Sequence, residues 1–130
     1  MVFMGLIAAF MQLPAHTGND LQPLFDAIRH VETGSHPKPA NAVGDGGRSL
    51  GPYQISRRYW QDSGVPGRYQ SVRQGNYAER VILAYWHRYC PDALARRDYQ
   101  TLARVHNGGP DGSRQRSTLA YWRKVQARLK

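Results

Sequence analysis

The sequence predicts an α+β domain dominated by helix. Four stretches carry apolar residues at the helical period. Between the first of these and the rest lies a run of Pro and Gly that leaves room only for loop and a small β-hairpin. The chain has 130 residues, 41% of them apolar, with no repeat, low-complexity tract or long linker, which suits one compact domain with a modest core.

The elements follow in order. Val2 to Met11 is nearly all apolar and is followed by Gln12-Leu13-Pro14-Ala15. The run is too short to cross a bilayer, which needs about 20 residues. It has the length of a signal-peptide core with cleavage after Ala15, but no basic flank precedes it. Residues 1–17 therefore read either as an export signal or as a segment packed on the domain, and residues 18–130 as the folded domain.

Leu21, Leu24, Phe25, Ile28 and Val31 predict a helix over 21–33, with Asp20 as N-cap and Pro23 in the first turn. Gly34 supplies the stop. From Ser35 to Pro52, seven Pro and Gly residues predict loop and a short hairpin. A short helix over 57–62 is closed by Gly64 and Pro66. The longest helix covers 74–89, with Ala78, Val81, Ile82, Tyr85 and Tyr89 on one face, and Pro91 ends it. Tyr99, Leu102, Ala103 and His106 make another stripe, stopped by Gly108-Gly109-Pro110. The last helix covers 117–129, with Leu119, Trp122, Val125 and Leu129 inward.

Fifteen Arg and three Lys stand against nine acids, a net charge of +9. This favours anionic partners: bacterial wall polymers, a membrane surface or nucleic acid. No nucleic-acid-binding motif is present, which makes the last the weakest of the three. Cys90 is the only cysteine, so no internal disulfide can form and packing must hold a monomeric fold. Its place between Tyr89 and Pro91 suits a buried structural thiol better than a nucleophile. The five histidines lack metal-ligand spacing, and neither a metal nor another cofactor is expected.

The chemistry points to His30–Ile55. Glu32 is one of two glutamates and follows Ile28 by four residues, at the edge of the apolar face. Apolar neighbours and the negative end of the helix dipole both disfavour its ionisation, as a general acid requires. Asp45 comes 13 positions later, in a Gly-rich turn. Two carboxyl groups across a cleft are the equipment of a glycosidase. The blander alternatives are a capping or paired Glu32 and an Asp45 that serves only the turn.

Several blocks decide between these readings: Glu32-Thr33-Gly34, Ser49-Leu50-Gly51-Pro52-Tyr53-Gln54-Ile55, Tyr59-Trp60-Gln61-Asp62, Ala103 to Pro110 and Tyr121 to Gln126. Their order and content resemble the invertebrate-type lysozymes, the destabilase family, over most of the chain. The resemblance implies a lysozyme-like fold and hydrolysis of the β-1,4 bond between N-acetylmuramic acid and N-acetylglucosamine in peptidoglycan. It places the catalytic acid on Glu32 and the second carboxylate near Asp45, although the spacing to the Gly-Pro-Tyr-Gln block differs. It implies a secreted, periplasmic or cell-envelope protein with bacteriolytic, antimicrobial action on glycan strands. Family members are rich in disulfides, so this cysteine-poor chain reads as a distant branch, such as a bacterial form. Some members also act as isopeptidases through a Ser and a Lys. Ser49 is available, but Ser56 stands where the Lys would be, so no such activity is expected.

Ser49, Tyr53, Gln54, His106 and Asn107 are the candidate substrate contacts, since aromatic faces stack on sugars and amides bind acetamido groups. His106 also lies on an inner stripe, where a satisfied core histidine is an equal alternative. Tyr121 and Trp122 read as core. Three functional alternatives remain open: a lytic transglycosylase in which Glu32 acts alone, a non-catalytic cationic wall-binding module, and a membrane-disrupting cationic protein.

Overall fold

In a computed structural model the described residues are 21–129. The apolar segment 1–17 and the expected cap Asp20 lie outside them. The element order is α1 (Gln22–Thr33), β1 (Val43–Gly44), β2 (Ser49–Leu50), β3 (Ile55–Ser56), α2 (Arg57–Ser63), α3 (Gly75–Tyr89), α4 (Pro91–Arg96), α5 (Tyr99–Gly108) and α6 (Thr118–Gln126), joined in places by short 3-10 turns. The predicted mostly helical α+β class holds. No described helix is long and apolar enough to cross a membrane.

The core forms where the predicted stripes meet. Leu21, which precedes α1, and Leu24, Phe25 and Ile28 within it are fully buried with Val81, Ile82 and Trp86 of α3 and Leu102 of α5. Phe25 stacks on Trp86 with centroids 5.6 Å apart, and the Trp86 indole N–H donates to the Leu102 carbonyl at 2.9 Å. That bond lets a large ring sit in the core without an unpaired polar group.

The β region is a three-stranded antiparallel sheet of order β1-β2-β3, in which Val43 pairs with Leu50 and Leu50 with Ile55. It runs past Pro52, where the sequence reading ended it, because Gly51 and Gln54 turn the chain with positive φ (80° and 53°). At Gly51 a side chain would also meet the Val72 carbonyl, 2.5 Å from an added Cβ. Ser56 then caps α2 by accepting from the Tyr59 N–H at 3.2 Å, and Gly64 closes it in the left-handed conformation.

Two further boundaries differ from expectation. Pro91 follows the last turn of α3 and also opens α4, since a first-turn position needs no N–H. The last helix stops at Gln126, and Leu119, Trp122 and Leu129 are only partly buried, while Val125 is wholly inside. The lone thiol of Cys90 sits at the α3–α4 junction, half-buried. Burial, then Asp98, pushes it up to about 11.

Candidate active site

Glu32 stands on the last turn of α1, with its side chain 20% exposed. Its neighbour Thr33 faces inward and donates its hydroxyl to the Pro52 carbonyl at 2.9 Å, which ties the helix end to the β region. Two donors approach the same carboxylate oxygen. The Tyr121 hydroxyl donates to Oε2 at 3.0 Å, and His106 Nε2 lies 3.5 Å from it. Oε1 receives no hydrogen bond from the described residues. The Tyr121 hydroxyl is held well above its ordinary range by burial first and by the Glu32 charge second, so it acts as a donor.

The His106 ring is 2% exposed and has partners at both nitrogens. Nε2 lies 3.2 Å from the Tyr53 carbonyl oxygen, and Nδ1 lies 3.0 Å from the Tyr59 hydroxyl. A carbonyl can only accept, so in the neutral ring Nε2 carries the hydrogen and Nδ1 accepts from Tyr59. His106 is thus both a satisfied core histidine and a neighbour of Glu32.

Asp45 is built differently. It is exposed, on a short 3-10 turn between β1 and β2, with φ 51°. Ser49 donates its hydroxyl to Asp45 Oδ2 at 3.0 Å, and Arg48 Nε donates to the Asp45 carbonyl at 3.0 Å. Gln54 spends its amide N–H groups on the carbonyls of Gly51 (2.9 Å) and Ala42 (3.3 Å). Its amide oxygen packs over Gly44, where an added Cβ would lie 2.1 Å from it.

A cleft of about 730 Å³ brings these parts together. Glu32, His106 and Asn107 line it from the helical side, and Asp45, Ser49 and Gln54 from the β side. Six of the seven residues singled out from sequence therefore share one cavity. Tyr53 is the correction. Its side chain is 0% exposed, set edge-on against Phe25, with its hydroxyl donating to Glu79 at 2.5 Å and accepting from Arg29 at 3.2 Å. It cannot stack on a sugar, because the chain turns at Gly51 and drives the ring into the core. Its contribution to the site is its carbonyl oxygen, which orients His106.

The aromatic wall of the cleft is instead Tyr59, Tyr85 and Tyr89. Sequence reasoning placed Tyr85 and Tyr89 on a buried stripe. Their i,i+4 spacing does mark one face, but that face borders both core and cleft. Tyr121 was also read as plain core; only its presence in a family block could have hinted at more. Among the described residues, no group of three or more His, Cys, Asp or Glu is placed to hold a metal ion.

Residues 25–128 match the destabilase family. Lysozyme 1 of Crassostrea virginica is 37% identical over 85% of this chain and 61% of its own length; a lysozyme of Magallana gigas is 40% identical over 59% and 58%. The aligned part thus spans about three fifths of these relatives. Invertebrate-type lysozyme 6 of Caenorhabditis elegans is 31% identical over 71% of this chain and 76% of its own length. The crystal structure of Tapes japonica lysozyme superposes with a TM-score of 0.68 at 33% identity, covering 81% of this chain and 87% of that one. Meretrix lusoria lysozyme, in complex with Aeromonas hydrophila PliI, gives 0.68 at 31% identity, covering 82% and 88%. By sequence and by fold, the chain belongs to the destabilase family of invertebrate-type lysozymes.

Proposed function

We propose that this protein is a muramidase, hydrolysing the β-1,4 bond between N-acetylmuramic acid and N-acetylglucosamine in peptidoglycan. The observation that carries the reading is one cleft that Glu32 enters from the helical wall and Asp45 from the β turn. Glu32 is the general acid. Its Oε2 accepts from the Tyr121 hydroxyl and faces His106 Nε2–H, which leaves Oε1 as the oxygen that can meet the leaving sugar. Asp45, open to water and aligned by Ser49, serves as nucleophile or as stabiliser of the oxocarbenium-like transition state. Ser49, Gln54 and Asn107 border the bound sugar, while His106, buried and partnered at both nitrogens, acts by orienting Glu32. The wall substrate implies a secreted or envelope location, and the +9 charge favours the anionic wall polymers around it.

The test is digestion of purified peptidoglycan followed by mass analysis of the fragments. Reducing ends support hydrolysis. Anhydro ends would transfer the protein to the lytic transglycosylases, with Glu32 acting alone. Intact polymer that still pellets with the protein would leave only a wall-binding module. Glu32→Gln should abolish turbidity loss of a wall suspension and leave pelleting intact.

A further inference from the structure

One end of the cleft carries chemistry that the two carboxylates do not need. There α2 packs on α3, and the rings of Tyr59 and Tyr85 stack with centroids 3.7 Å apart and planes 9° from parallel. Tyr89 meets Tyr85 edge-on at 4.8 Å. Two arginines, Arg58 and Arg88, line the cleft beside these rings. The Arg88 guanidinium lies 5.0 Å from the Tyr89 ring centroid, and its Nη1 donates to the Asp62 carbonyl at 2.8 Å. Tether and ring together place the guanidinium before any ligand arrives, which lowers the cost of binding. The acid at this end is Asp62, which also lines the cleft. Neither arginine forms an ion pair within 4.0 Å with it or with any other described carboxylate.

A guanidinium is a flat fork of donors that matches a carboxylate. Tyr59 and Tyr85 are buried and cover each other's faces, so the half-buried Tyr89 is the ring that borders open space here. Two exposed arginines that line a sugar-binding cleft outside any ion pair therefore fit a sugar carrying an acidic branch. Chitin, a polymer of neutral sugars, has no such branch. Peptidoglycan has one on every second sugar, the lactyl group, which ends in its own carboxylate or in a peptide that bears carboxylates. We infer that Arg58 and Arg88 form a carboxylate-binding subsite that selects substrates with an acidic lactyl branch over neutral chitin-type chains. The inference rests on the muramidase reading and deepens it.

The experiment compares the wild-type protein with the double variant Arg58→Gln/Arg88→Gln on three substrates. These are intact peptidoglycan, glycan strands stripped of peptide by an amidase, and chitohexaose. Unchanged melting temperature serves as the control for folding. The expected result is that kcat/KM on a wall substrate, divided by that on chitohexaose, falls about tenfold, a few-fold for each exposed charge contact. Arg58→Lys/Arg88→Lys, which keeps both charges, should recover part of it. A fall on stripped strands identifies the free lactyl carboxylate as the ligand; a fall confined to intact peptidoglycan identifies the peptide stem. An unchanged ratio on both wall substrates overturns the subsite. If the wild-type protein cuts none of the three, the muramidase reading is what has failed. The subsite is then judged by pelleting: the double variant must lose retention on intact or stripped wall relative to chitin, or the inference falls too.

Discussion

Glu32 and Asp45 open on one cleft from regions built in different ways. Glu32 ends a helix whose other face is the centre of the core, and its surroundings are set by Thr33, His106 and Tyr121 from three separate parts of the chain. Asp45 stands on an exposed turn, held by Ser49 four residues on and by a backbone conformation that Asp tolerates better than most residues. One group is positioned by tertiary packing, the other by local turn chemistry. A substitution in the core should therefore reach Glu32 and spare the Asp45 turn, whereas a change in the turn should cost activity with little cost to the fold.

The largest effect should come from Glu32→Gln, which removes the acid without changing shape. Turnover of wall should fall by about 10²- to 10⁴-fold, with melting nearly unchanged. A variant retaining a tenth of the activity would end the role assigned to Glu32. Next, Trp86→Ala should destabilise the fold by about 3–5 kcal/mol in a denaturant titration, because it empties the packing under α1 and orphans the Leu102 carbonyl. A loss below about 1 kcal/mol would mean that the helical half is not the rigid side of the comparison.

Asp45→Asn should lower turnover by about 10²-fold with stability within about 0.5 kcal/mol. Full activity together with anhydro products would show that the turn carboxylate is dispensable. Tyr121→Phe removes one hydrogen bond to Glu32 and should lower kcat by about fivefold, with KM little changed. An equal drop in Asp45→Asn and Tyr121→Phe would blur the contrast between the two walls.

The smallest effect is alkaline. Burial first, and then Tyr89 and Asp62, push the Tyr85 hydroxyl up to about 12 from the ordinary 10. The folded form thus holds this proton longer than the unfolded chain does. Its stabilising contribution is complete below pH 10 and is lost as pH rises toward 12. The fall in melting temperature between those values should be shallower in Tyr85→Phe. A steeper or identical fall would remove Tyr85 as its source.

Much of this architecture was legible because local rules coincide with it. The α1 stripe named Leu21, Leu24, Phe25 and Ile28 of the buried face, although Val31 is only partly buried and Ala27 and Thr33 went unnamed; Gly64 marked a left-handed helix end, and the Pro and Gly run between Ser35 and Pro52 marked the β region. Tyr53 was misjudged because an aromatic ring in a turn looks the same in sequence whether it points into a cleft or into a core. Gly51 and its contact with Val72 decide which. Tyr121, read as core, does pack against it, but its hydrogen bond to Glu32 was not legible because that partner lies 89 positions away.

By itself the sequence determined the helical period of each segment, the position of a lone glutamate at the end of an apolar stripe, and an aspartate in a turn that suits it. These depend on neighbours within about one helical turn, where spacing alone fixes which side chains meet. Tertiary structure decided which atoms surround Glu32, that His106 turns its Nε2 toward that acid, and that two arginines and three tyrosines line the same cleft. Those outcomes depend on how separate helices pack, and no local period records the distance between side chains on different helices.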